Sequence, residues 1–125
     1  MPIIKLLKLI KDANMSIENW SEEIMLVDLV KEPDMSNELQ TVIGLVTSES
    51  KFNVVVDFSE VDILSSSSIA KLLKLRKVLK ENGNHLVISS VNAATIRIFD
   101  ITGLDSVFDF VEDKFVALAG LQVTV

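Results

Sequence analysis

The segment from Phe52 to Leu79, FNVVVDFSEVDILSSSSIAKLLKLRKVL, constrains the fold more than any other part of the chain. Val54-Val55-Val56-Asp57-Phe58 is a short β-branched apolar block of the kind that fills a central strand covered on both faces. Ser59 to Asp62 reads as the polar turn that ends it. A helix follows, because Ile69, Leu72, Leu73, Leu75, Val78 and Leu79 recur as a broad apolar arc at helical spacing, with Lys71, Lys74, Lys77 and Lys80 on the other side. The consecutive serines Ser65, Ser66, Ser67 and Ser68 fall at the start of this helix and are expected to cap it. A hydroxyl there satisfies backbone N–H groups that have no partner within the helix, and the macrodipole makes the same place favourable for a phosphate.

Around this segment, strands and helices alternate. Ile17 to Trp20 and Ile24 to Val30 read as strands joined by a tight turn through Ser21-Glu22-Glu23, which gives a hairpin. Pro33-Asp34 breaks the second strand, and Leu39, Val42, Ile43 and Val46 then recur at helical spacing, so Met35 to Ser50 is expected to be a helix on one sheet face. Glu81-Asn82-Gly83-Asn84 is a stop signal in which Gly83 suits the left-handed conformation that ends helices. His85 to Ser90 returns as a strand, Asn92 to Thr102 is a short helix ended by Gly103, Val107 to Val111 is a short strand, and Lys114 to Ala119 is helical. Alternation from Ile24 onward points to an α/β layer with parallel neighbours and right-handed crossovers. Before all this, Ile3 to Ile10 sets apolar pairs between Lys5, Lys8 and Lys11, the pattern of an amphipathic helix. Such a helix packs on its own domain or against a second copy, which would make a homodimer; a basic segment at a membrane surface is the alternative.

Composition removes whole classes of function. A chain of 125 residues, 49% hydrophobic, fits one compact domain that buries a core without disulfides or metal. Its formal net charge of −6 argues against nucleic acid as the main partner, since phosphate backbones are bound through excess Lys and Arg. The absence of cysteine excludes a disulfide framework and most zinc arrangements and fits a cytoplasmic chain. No run approaches the length of a transmembrane helix.

Catalytic motifs are scarce. Ser68-Ile69-Ala70-Lys71 matches S-x-x-K, but the second serine motif and the K-T-G strand of such acyl-transfer enzymes are missing. Asp57 at a strand end invites comparison with a phospho-accepting aspartate that holds Mg²⁺ beside further carboxylates; Asp28 is the nearest candidate, and anchoring the following turn is the commoner role. With only Gly44, Gly83, Gly103 and Gly120, the chain has neither a P-loop nor a dinucleotide fingerprint. His85, the only histidine, has no sequence partner for metal binding or a triad. Trp20 and the six phenylalanines are core or interface anchors rather than a stacking platform. No catalytic residue, metal site or cofactor is therefore expected.

Val54 to Leu73 resembles the signature segment of STAS domains, the group that contains bacterial anti-sigma factor antagonists. The likeness extends to Ile98-Phe99-Asp100-Ile101-Thr102-Gly103-Leu104, similar to the family's later helix and its closing Thr-Gly-Leu. It extends also to Ile24 to Lys31 with Glu32-Pro33-Asp34, which looks like the early strand and the turn into the first helix. The resemblance spans roughly residues 17 to 119. It implies an α/β fold, a STAS-like single domain with a mixed four- to five-stranded sheet and helices packed mainly on one face, over residues 15–125, with residues 1–14 as an N-terminal amphipathic extension.

The family's regulatory motif is Asp-Ser-Ser/Thr-Gly, and Ser65, Ser66, Ser67 and Ser68 hold the matching positions, so only the middle pair matches. In regulated members the first hydroxyl residue after the Asp is phosphorylated, which implies Ser66 here, with Ser67 as the neighbouring alternative. The function implied is a non-enzymatic, cytoplasmic protein-binding module that engages an anti-sigma factor with serine-kinase activity and so regulates transcription. Ser65, Ser66, Ser67, Ser68, Lys71 and Lys74 would form the partner-binding surface. The alternative is a STAS-like accessory subunit of a lipid or anion transport system, in which Ser66 need not be modified.

Overall fold

The computed structural model describes residues 17–124, so the expected extension at residues 1–14 lies outside the described residues. Nine elements follow in order: β1 (Ile17–Asn19), β2 (Ile24–Asp28), α1 (Met35–Ser48), β3 (Asn53–Asp57), α2 (Ser66–Glu81), β4 (Leu86–Ser89), α3 (Ala93–Ile101), β5 (Asp109–Val111) and α4 (Lys114–Thr124). The strands form one sheet in the order β1-β2-β3-β4-β5. β1 and β2 are the expected antiparallel hairpin, and β2 through β5 are parallel, with Val55 facing Leu26 on one side and Val87 on the other.

All five residues of β3 are buried. Alternation along the strand sends Val54 and Val56 into the larger core, with Leu39, Val42 and Val46 of α1, Leu72, Leu75 and Leu79 of α2, and Phe99 of α3. Val55 points the opposite way, to a smaller core with Ile24, Leu26 and the α4 residues Ala117, Leu118 and Leu121. Three crossovers linking adjacent parallel strands, all right-handed by the usual rule, leave their helices on one face. Among the described helices, α4 takes the other. The expectation of a mixed sheet with helices mainly on one face therefore holds, at five strands. Each crossover helix begins at the edge where the parallel strands end, and the first residue of α4 reaches the same edge through Lys114 Nζ to Asp28 Oδ1, 3.1 Å.

Boundaries follow local chemistry. Asn92 caps α3 by accepting from Thr95 N–H at 2.8 Å, and Gly83, at φ +74°, ends α2 while Asn84 N–H returns to Leu79 C=O at 2.8 Å. β2 stops two residues earlier than Val30. α4 runs five residues past Ala119, through Gly120, because burying Leu121 offsets the roughly 1 kcal/mol that an internal glycine costs a helix. The apolar arc of α2 is narrower than expected, since Leu73 is exposed.

Phe99 is fully buried and meets Phe58, Phe108 and Phe110 with ring centroids 6.3, 5.7 and 5.2 Å away. These contacts tie α3 and the β5 region to the end of β3. Replacing Phe99 by Ala is expected to cost roughly 3–5 kcal/mol, read as a lower denaturant midpoint at unchanged slope.

Candidate functional site

The end of β3 is held by its own aspartate. Asp57 is 3% exposed, and its carboxylate accepts from Ser59 N–H at 3.3 Å, from the Ser59 hydroxyl, and from the Ser89 hydroxyl of β4 at 2.8 Å. Burial alone would raise its pKa; the hydrogen bonds from Ser59, Ser90 and Ser89 outweigh burial and hold the carboxyl below its ordinary value. Asp57 is thus the turn anchor expected of it. Asp28, its register partner on β2, is paired with Lys114. That hydrogen bond outweighs the opposing effect of burial and raises the lysine pKa, with the charges of Asp28, Asp57 and Glu18 adding to it.

From Asp57 the chain turns through Val61 N–H to Phe58 C=O at 2.9 Å, buries Val61 and Leu64, and leaves Ile63 69% exposed just before α2. The four serines then do four different things. Ser65 is the N-cap, its hydroxyl accepting from Ser68 N–H at 3.1 Å. Ser66 is exposed, and its hydroxyl meets no polar partner among the described residues. Ser67 is exposed and shares a 3.0 Å hydrogen bond with the Ser36 hydroxyl of α1. Ser68 is 0% exposed and donates its hydroxyl to Glu32 Oε2 at 2.8 Å.

Ser68 therefore leaves the expected partner-binding surface. It shares the inward side of α2 with Leu72, Leu75 and Leu79, and Glu32 satisfies its hydroxyl inside the protein. Lys71 is also less solvated than expected, because its Nζ donates to Gln40 Oε1 of α1 at 2.5 Å. Ser36 with Ser67 and Gln40 with Lys71 form two rungs, one helical turn apart, between neighbouring helices. Lys74 is exposed on α2, near Ala70, Leu73 and Lys77, which are exposed too.

Glu32 escaped sequence reasoning. Besides Ser68 it accepts from Ser65 N–H at 2.7 Å, so a carboxylate from the β2–α1 turn already sits at the N-terminus of α2. Burial pushes its pKa up; the Ser65 hydroxyl, the Ser65 N–H and the Ser68 hydroxyl together pull it further down, leaving it below the usual carboxylate value. Both members of the S-x-x-K pair are engaged elsewhere, Ser68 with Glu32 and Lys71 with Gln40.

A hairpin leading into parallel βα units, with a serine-capped helix after the central strand, agrees with a family model for the STAS domain, which matches residues 13–117. The chain belongs to the STAS domain family. Solved structures share the fold at low identity. An anti-sigma-factor antagonist (STAS) domain protein from Planctomyces limnophilus superposes with a TM-score of 0.72 at 18% identity, over 86% of this chain and 97% of that one. The anti-sigma factor antagonist SpoIIAA in its unphosphorylated form gives 0.70 at 11% identity, over 86% and 97%. The Bacillus cell fate determinant SpoIIAA in its phosphorylated form gives 0.64 at 11% identity, over 82% and 96%. Within this STAS domain the serine run occupies the expected start of α2, with Glu32 as its internal counter-group.

Because the Glu32 pKa is depressed on folding, the stability it confers is present above the unfolded value and is lost as pH falls through the folded one. Glu32→Ala is expected to lower unfolding free energy by roughly 1–2 kcal/mol at neutral pH, the value for lost caps and charged hydrogen bonds at a partly solvated site. The deficit relative to the parent should shrink below roughly pH 4.3, where glutamate protonates in the unfolded chain. Denaturant titrations at pH 7 and at acid pH test both statements.

Proposed function

We propose that this STAS domain is an anti-sigma factor antagonist that binds an anti-sigma factor with serine-kinase activity, and that Ser66 is its phosphoacceptor. The observation that carries the assignment is the division of labour among the serines. Ser65 and Ser68 are committed to the helix cap and to Glu32, and Ser67 is bonded to Ser36, whereas Ser66 presents an exposed hydroxyl without a described partner. Removing or modifying that hydroxyl breaks no hydrogen bond among the described residues.

In this reading the kinase supplies ATP and Mg²⁺. The Ser66 oxygen forms a bond to the γ-phosphorus, the bond to ADP breaks, and the hydroxyl proton passes to a base on the kinase. The STAS domain is an acceptor and a docking surface, with no catalysis of its own. Docking would use the exposed apolar residues Ile63, Ala70 and Leu73 around Ser66, flanked by Lys74 and Lys77 as positive groups for an acidic partner. A phosphate adds roughly −1.5 to −2 charge. The new charge lies on the docking surface and must be desolvated when a partner covers it. Modification thus weakens binding while leaving the fold intact.

Incubation with the cognate anti-sigma kinase and ATP is expected to add one phosphate by intact mass. Ser66→Ala should abolish it, and Ser67→Ala should retain it. Labelling lost only in Ser67→Ala would move the acceptor by one residue, and no labelling of the parent chain would refute the phosphoswitch. Ser66→Asp is expected to weaken binding to the anti-sigma partner by roughly tenfold or more, about 1.4 kcal/mol, without changing the unfolding midpoint.

A further inference from the structure

Arg76 is a cation that the fold does not use. It lies in α2, half-buried, in a chain with a net charge of −6, yet it makes no hydrogen bond or ion pair with any described residue. Lys31 and Lys114, by contrast, are paired with Asp62 and Asp28. A guanidinium carries its donors in a planar fork, and partial burial removes water from them without supplying a replacement. Lys80, one helical turn further on, is favoured by the dipole at the C-terminal end of α2. Arg76 stands before the last turn, where that effect has faded.

Both side chains line a cavity of about 420 Å³ at the end of the sheet where β4 and β5 begin, together with His85, Ser106 and Asp109. That volume falls within the roughly 300–1,000 Å³ of small-molecule sites. The side chains of His85, Ser106 and Asp109 are likewise uncommitted among the described residues. With His85 neutral, two cations against one carboxylate leave a single positive charge, which suits a monoanion.

A second cavity of about 190 Å³ adjoins the first, because His85 and Asp109 line both. Its other walls include Val87 of β4, Val111 of β5 and Val116 of α4. Strand alternation explains the junction. Val87 and Val111 pack against the smaller core, and His85 and Asp109, two residues before each, project to that same side at the strand ends. The apolar cavity is small for a ligand by itself but fits the tail of one whose charged head is held beside α2.

We infer that the two cavities form one binding site for a monomeric carboxylate with a short apolar chain, of the medium-chain fatty-acid class. The Arg76 fork receives the carboxylate, and Lys80 and the Ser106 hydroxyl add donors. The chain passes His85 and lies along Val87, Val111 and Val116. Asp109 repels a second negative charge and so disfavours a phosphate dianion. Because α2 begins where the parallel strands end and finishes where they begin, this site is at the opposite end of the sheet from Ser66 and does not rest on the phosphoacceptor assignment.

Sodium decanoate, kept well below its micelle concentration, is the probe for the full chain. Calorimetry is expected to show saturable binding of one molecule per chain, with backbone NMR shifts on residues 76–87 and 106–117. Arg76→Gln, the exposed Lys80→Gln and the half-exposed Val116→Asp, with unfolding midpoints matching the parent, are each expected to weaken binding by about tenfold. Decanol lacks the head and acetate lacks the tail, and each is expected to bind at least about tenfold more weakly than decanoate. Absence of saturable decanoate binding, shifts that fall elsewhere, or parental affinity in Arg76→Gln and Lys80→Gln would overturn the inference. Decanol or acetate binding as tightly as decanoate would overturn it too, since a site that reads only one end of the molecule does not join the two cavities.

Discussion

Burial of β3 on both faces is the constraint from which the architecture descends. A strand with apolar side chains on each side needs a layer above and a layer below, and its backbone needs a neighbour on each edge. The hairpin and β2 supply one edge and β4 the other. Asp57 closes the strand. A carboxylate buried at that point is tolerated only because Ser59 and Ser89 donate to it, which joins the ends of β3 and β4 and fixes the direction in which the chain leaves toward α2.

The serine run then shows how one residue type is sorted by helical phase. Positions one residue apart differ by about 100° around the axis, so four successive hydroxyls cannot share an environment. One caps, one faces solvent, one reaches the neighbouring helix, and one turns inward. Sequence identity within the run conceals this; geometry separates it.

Much of the fold was legible because its signals are local. The Val54–Val56 block, the hairpin around Ser21-Glu22-Glu23, the short helix after Asn92 and the left-handed Gly83 are all read within a few residues of where they act. The candidate site was legible in outline only. Ser68 stands four and seven residues before Leu72 and Leu75, so its inward phase was present in the pattern, but a serine beside other serines was grouped by chemistry instead of by angle. Glu32 could not be found this way. It meets Ser65 and Ser68 across 33 and 36 residues of sequence, and nothing near Glu32-Pro33-Asp34 marks it as a partner for a later helix. Likewise, α4 was expected only as far as Ala119, and tertiary packing of Leu121 carries the helix onward.

The crossover helices α1, α2 and α3 all start from the edge where the parallel strands end, so their dipoles run side by side in one direction. Dipoles aligned this way repel one another, and their positive ends accumulate along a single border of the sheet. Glu32 stands at that border, and so does Asp57, joined there by Glu38, whose carboxylate accepts from Val30 N–H at 3.2 Å. These acids act as internal counterions that let like-oriented helices lie together. Part of the chain's negative balance is therefore structural ballast, and neutralising this rim would loosen the helical layer rather than relieve crowding among carboxylates.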